Sequence, residues 1–319
     1  MLQPIRRLRP TSIASSLLFA SFLTPQKRNQ PYSGMAGQQP PPDSVWKTRP
    51  YQPRHASWPY SEADFARQDT SPDTSFYDTP RFVTHIDDEA IAALRSYYDK
   101  VLPPQGRILD LCSSWVSHYP PDIEKAAAAA PKDGGGVQVT GMGMNREELA
   151  ANRVLNCGRI VVDLNEEPDV ARALRDRNDP TQNTSSAGDT TSQKDKKFDA
   201  STLVVSIDYL IHPVEVLRSL KEVTKDGGAV HLTISNRCFP TKAIARWLRI
   251  SEEERLQMVG DYLHFAGWKK IEVVELSDGQ PQKSGSQQQQ GGLLNSLFGV
   301  MGMDHSDPLW VVRGVNGSI

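Results

Sequence analysis

RILDLCSSWVSHYP, residues 107–120, is the stretch whose reading decides the fold. A short apolar strand, Arg107 to Leu109, ends in Asp110 and runs into a turn of small polar residues. In a parallel α/β sheet, ligands lie beyond the carboxyl end of the first strand, where backbone N–H groups and short side chains permit close approach. The sequence that follows alternates strand and helix, so this segment reads as the first strand of a doubly wound sheet.

Working outward, PDIEKAAAAAP (121–131) reads as a short helix and GGG (134–136) as the loop into strand VQVTGM (137–142). Helix 146–155 and strand RIVVDL (159–164) come next. The fourth strand, FDASTLVVSI (198–207), has the continuous apolar run of a strand buried on both faces. Pro213 opens a helix that Gly227 is expected to close, and AVHLTIS (229–235) is the fifth strand. Two helices are expected after it, the second capped by Ser251 with Glu254 and ended by Gly267. Two consecutive strands finish the chain, KKIEVVEL (269–276) and PLWVVR (308–313).

Upstream, a helix is expected to start at Thr84, with Thr84 and Asp87 as a capping box and Ile86, Ala90, Leu94, Tyr97 and Val101 as its apolar stripe. Pro103 and Pro104 stop it. From Trp46 to Thr79 the chain is rich in Pro, Tyr and Trp without periodicity, which predicts an extended arm packed on the domain by its aromatics. Residues 176–197 and 278–306 are polar insertions. The second contains LLNSLFGVM (293–301), readable as a loop folding its own apolar residues under itself or as a flap. The layout is therefore a tail (1–42), an arm (43–75) and one domain (76–314).

The chain has 319 residues, 38% hydrophobic and 23% charged, enough for one sizeable core. A formal net charge of −2 supplies no general pull toward nucleic acid or acidic membranes, which favours a small-molecule substrate. Cys112, Cys157 and Cys238 are widely spaced, with no CxxC pair to suggest a disulfide framework or a zinc site. Residues 1–42 carry Arg6, Arg7, Arg9, Lys27 and Arg28 and no acid, the composition of a transit peptide, with the mitochondrion as first choice. Initiation at Met35 would instead give a cytosolic form, and a plain Pro- and Gln-rich disordered tail is the bland alternative. SSLLFASFL (15–23) is too short to span a bilayer.

Strand and helix alternation ending in two consecutive strands resembles the class I S-adenosylmethionine-dependent methyltransferases, whose Rossmann-like seven-stranded sheet is mostly parallel with an antiparallel last strand beside the fifth. The resemblance covers about residues 76–314 and includes VLPPQGRILDL (101–111), FDASTLVVSIDYL (198–210) and LKEVTKDGGAVHL (220–232). FVTHID, DLCSSWVSHYP, DLNEEP and SNRCF are similar to a methyltransferase type 11-like group within that family.

The resemblance implies S-adenosylmethionine as cofactor, contacted by Arg81, Asp110, Ser113, Asn145, Asp163 and Ser206. Asp110 either binds the cofactor or only fixes the turn. The family's glycines after the first strand are replaced here by Cys112, Ser113 and Ser114, and its ribose-binding acid by Gly143, leaving Asn145 as the nearest polar substitute. Asp163 stands where a family acid accepts from the adenine amino group; its bland role is to cap the loop DLNEEP.

Methyl transfer needs nucleophile and methyl in line, and a base only if the nucleophile is protonated. His118, Asp208 and Tyr209 are the catalytic candidates; His212 is a further candidate base, with Tyr77 and His85 closing from the N-terminal side. Two other functions fit parts of the pattern. One is a catalytically silent methyltransferase fold used for binding or regulation. The other is an NAD(P)-dependent oxidoreductase, suggested by VQVTGMGMNREEL (137–149) with Asp163 downstream, although Arg146 replaces the third glycine of that fingerprint.

Overall fold

The computed structural model describes residues 46–130, 135–176, 197–279 and 306–317. The tail, residues 177–196 and residues 280–305, including LLNSLFGVM, lie outside the described residues.

The strands are β1 (Lys47–Pro50), β2 (Gly106–Leu111), β3 (Val137–Gly143), β4 (Gly158–Val161), β5 (Phe198–Val204), β6 (Thr224–Ser235), β7 (Lys269–Ser277) and β8 (Leu309–Val315). They form one sheet in the order β1-β7-β8-β6-β5-β2-β3-β4. Strands β2 to β6 pair in parallel, while β8 runs antiparallel between β6 and β7. The strand order reverses between β2 and β5, which opens a crevice at their carboxyl ends.

The helices are α1 (Glu62–Phe65), α2 (Asp73–Phe76), α3 (Asp88–Val101), α4 (Pro121–Ala128), α5 (Arg146–Ala151), α6 (Val170–Asp176), α7 (Pro213–Glu222) and α8 (Glu252–Phe265). Successive residues of β2 serve opposite faces: Ile108 packs with Leu94, Ile123 and Leu149 of α3 to α5, whereas Leu109 and Leu111 pack with Val170, Leu217 and Leu263 of α6 to α8. Both faces of the parallel strands are thereby covered, as such a sheet requires.

Four sequence expectations change. The arm contributes β1, an eighth strand antiparallel to β7, where seven strands were expected. KTRP has no apolar period, so its pairing rests on backbone bonds and surface pairs such as Lys47 with Glu275 at 2.9 Å. Helix α3 starts at Asp88, not Thr84, because the Asp87 carboxylate accepts the Ala90 N–H and makes Asp87 the cap. Helix α7 ends at Glu222, and Gly227, at φ +79°, lies inside the longer β6. Among the described residues only one helix, α8, follows β6; residues 236–250 are turns and bends. Ser251 caps α8 as expected, accepting the Glu254 N–H, and Gly267 follows it at φ +87°.

The aromatics of the arm do pack on the domain. Tyr51 and Tyr60 both donate to the buried Asp261 carboxylate on α8. Gly260 makes room, since a Cβ there would lie 2.3 Å from the Tyr51 ring. Trp58 and Phe65 pack on Tyr262. Closer to the crevice, Asp73 (5% exposed) pairs with Arg67 at 2.7 Å and with Lys242 (1% exposed) at 3.1 Å, and accepts from Asn165 at 2.8 Å. This clasp joins the arm to the turns after β6 and the loop after β4.

Candidate functional site

A cavity of about 410 Å³ opens beyond the carboxyl ends of β2, β3, β4 and β5, within the roughly 300–1,000 Å³ range of small-molecule sites. The sequence places eight of its nine site residues in the wall: Arg81, Asp110, Ser113, His118, Asn145, Asp163, Ser206 and Tyr209. Tyr77 and His85 join them from residues 76–87, by which the arm continues to α3.

The loop after β2 forms the floor. Asp110 accepts from Ser113 Oγ at 2.6 Å, Ser117 Oγ at 2.7 Å and Thr202 Oγ1 at 2.9 Å. Burial pushes its carboxyl up to about 6 against these three hydrogen bonds. Of the two roles open for Asp110, this geometry supports turn fixation. Cys112 and His118 adopt positive φ, +50° and +54°, which bends the loop back over the strand ends. The Ser113 N–H donates to Met142 O at 2.6 Å, and a Cβ on Gly143 would lie 2.0 Å from Ser113 O. The loop backbone thus occupies the space into which an acid at position 143 would project.

Asn145 cannot readily stand in for that acid. Its Oδ1 accepts the N–H groups of Glu147 and Glu148, capping α5, and its Nδ2 donates to the carbonyls of Tyr77 and Asp78. Both donors and both acceptor positions of the amide are engaged, so the ribose contact expected of Asn145 is not supported by this arrangement. The same contacts weigh against the dinucleotide reading, because the α5 N-terminus is capped by protein and Gly143 is covered by the Ser113 carbonyl.

Asp163 caps its loop by accepting the Asn165 N–H at 2.9 Å, and burial raises its carboxyl above the usual carboxylate range. Ser206 donates to Val204 O at 2.9 Å. The Arg81 guanidinium lies 4.6 Å from the Phe76 ring centroid and 5.8 Å from that of Phe239.

His118 is buried and its Nδ1 makes no hydrogen bond. Burial, with Arg95 and His85 nearby, pushes the imidazole down to about 4, so it is neutral at pH 7. Tyr209 accepts the Phe239 N–H on its phenol oxygen at 2.8 Å, which leaves its O–H proton free to donate.

Asp208 and His212 are corrections. Asp208 is buried behind the wall in the 3-10 turn Ile207–Tyr209, where desolvation pushes its carboxyl up to about 8. It does not line the cavity. His212 is the residue before α7 and lines a separate surface groove with Trp58 and Phe65.

Glu148, Cys238 and Phe239 also line the cavity but were not singled out as site residues. SNRCF held the last two as a family-like stretch. Glu148 falls three residues after Asn145, the spacing of a capping box, yet its carboxylate reaches outward to Ser114 Oγ and the Arg81 N–H.

No family model matches this chain, and no curated protein matches it. Among solved structures it is similar to the [4+2]-cyclase SpnF, at 16% identity over 77% of this chain and 92% of that one, with a TM-score of 0.43. It is also similar to a SAM-dependent methyltransferase from Archaeoglobus fulgidus, at 10% identity over 72% and 94% of the chains and TM-score 0.41. A third is Haemonchus contortus phosphoethanolamine N-methyltransferase 2 in complex with S-adenosyl-L-methionine, at 13% identity over 72% and 53% and TM-score 0.38. In its own strand order, five parallel strands reversing between β2 and β5 with β8 antiparallel beside β6, the domain has a Rossmann-like sheet, extended at one edge by β1.

Proposed function

We propose that the chain binds S-adenosylmethionine in this cavity and transfers its methyl group to a small-molecule acceptor. The observation that carries the reading is the position of the cavity at the switch point of the sheet, with the aromatic side chains of Tyr77, Tyr209 and Phe239 on its wall. Aromatic faces suit a sulfonium cation. The residues present fit such a ligand: Asp163 offers a carboxylate oxygen and loop 112–114 a close backbone surface. When bound, the cofactor supplies a methyl on a sulfonium that departs as a neutral thioether.

The chain's own groups then have two tasks. The walls bring acceptor and methyl into line and exclude water. His118, a neutral imidazole on the wall, accepts the acceptor's proton where there is one, while Tyr209 orients the acceptor through its phenol. The test is hydrogen exchange with S-adenosylhomocysteine added: protection at residues 112–118 and 237–239 supports the site, and protection confined elsewhere counts against it.

A second reading, binding without turnover, is favoured by the Ser113 N–H being spent on Met142 O. It predicts cofactor binding with no S-adenosylhomocysteine formed from amine, thiol, phenol or carboxylate acceptors. For residues 1–42, the basic, acid-free composition supports a mitochondrial address. A reporter fused to residues 1–45 would enter mitochondria, whereas diffuse cytosolic signal would favour Met35 initiation or a plain tail.

A further inference from the structure

We propose that Glu148 is the positioning residue of this site, a single carboxylate that makes the arm and the loop after β2 hold their closed arrangement together. The functional consequence rests on the ligand reading above; the coupling itself does not.

Glu148 lies in the first turn of α5 and is 9% exposed. Its Oε1 accepts the backbone N–H of Arg81, 67 residues earlier, and its Oε2 accepts the hydroxyl of Ser114, 34 residues earlier, both at 2.6 Å. Among the described residues it forms no salt bridge, so these two charge-assisted bonds carry the stabilisation of a nearly buried charge. Losing either leaves the buried charge short of a donor, which favours turning the side chain out to water and giving up the other bond; this is the physical origin of the coupling.

Each segment has its own anchor on the same helix. Asn145 holds the arm at Tyr77 O and Asp78 O, and Asn152 holds the loop at Ser114 O and Ser117 Oγ. Within α5 and its two caps, Glu148 is the side chain that bonds to both. One product is the position of Arg81, whose guanidinium packs over Phe76 and Phe239 on the cavity wall. The other is the position of Ser114 and its neighbours on the floor. A second link, Trp115 Nε1–H to Val83 O at 3.0 Å, joins the same two segments without Glu148 and provides a control.

The experiment is hydrogen exchange on the full chain without ligand, followed by S-adenosylhomocysteine release kinetics. Ser114→Ala, which touches only the loop side, should speed exchange of arm amides 81–85 by roughly tenfold as well as those of 112–118. Glu148→Ala should do the same and speed ligand release by tenfold or more. Glu148→Gln can accept from Arg81 and donate to Ser114 Oγ, so it should stay within about threefold of wild type in both readouts. Unchanged arm exchange in Ser114→Ala overturns the proposal, as does a Gln variant as impaired as the Ala variant. If Glu148→Ala fails to fold, Ser114→Ala and Glu148→Gln still decide. If the wild type binds no S-adenosylhomocysteine, the ligand reading fails while the exchange data continue to test the coupling.

Discussion

The carbonyl oxygen of Ser113 fills the place where a side chain at Gly143 would begin, 2.0 Å from a Cβ built there. With the Ser113 N–H donating to Met142 O, the loop after β2 is fastened across the end of β3 by backbone alone. Gly143 is therefore a requirement of the backbone: the close approach of the loop forbids any side chain at that position.

It follows that introducing an acid at position 143 should harm the protein. Gly143→Asp forces the loop off β3 and should cost about 1–3 kcal/mol, the usual penalty of overpacking, without improving cofactor affinity. Thermal denaturation and calorimetry check both halves. A stable variant with tighter binding would contradict this geometry.

Asn145→Ala removes the cap of α5 and the tether to the arm at once. The cap alone is worth about 1 kcal/mol, so the melting temperature should fall by a few degrees, with faster amide exchange at the start of α5. An unchanged melting temperature with weakened cofactor binding would restore Asn145 as a ligand residue.

How far the chain could be read in advance depends on what holds each part. The parallel strands announce themselves because they are buried on both faces, and the caps Ser251 and the stop at Pro103 act through local chemistry. Strand β1 was illegible because KTRP has no buried face and pairs through backbone at an edge. The site split similarly: strand ends placed Asp110, Asp163 and Tyr209 on the cavity wall, while the half-turn that points Asp208 away from it has no sequence signature. Glu148 and the Lys242 clasp depend on contacts across dozens of residues, which no local pattern encodes.

Asp208 gives a pH signature. Its folded value of about 8 lies above the ordinary 3.8, so the folded state keeps a proton that the unfolded state has released. The stability this contributes is fully present below pH 4 and is lost as pH rises through about 8. Asp208→Asn should match wild type near pH 4 and melt higher at pH 9. Parallel melting curves for the two proteins across that range would show that Asp208 is not the buried neutral acid described above.

The clasp between arm and domain should behave as a buried ion network. Asp73→Ala leaves Lys242 and Arg67 short of a carboxylate and should cost about 3–5 kcal/mol, whereas Asp73→Leu combined with Arg67→Met and Lys242→Met should recover most of it. Denaturant titration measures both. Equal losses in the single and triple variants would place the effect in packing rather than charge.

Isothermal titration of the purified chain with S-adenosylmethionine tests the central claim most directly. The site described here predicts saturable, one-to-one heat with S-adenosylmethionine and S-adenosylhomocysteine and none with NAD or NADP. No heat at millimolar S-adenosylmethionine, or saturable heat with a dinucleotide instead, would contradict it.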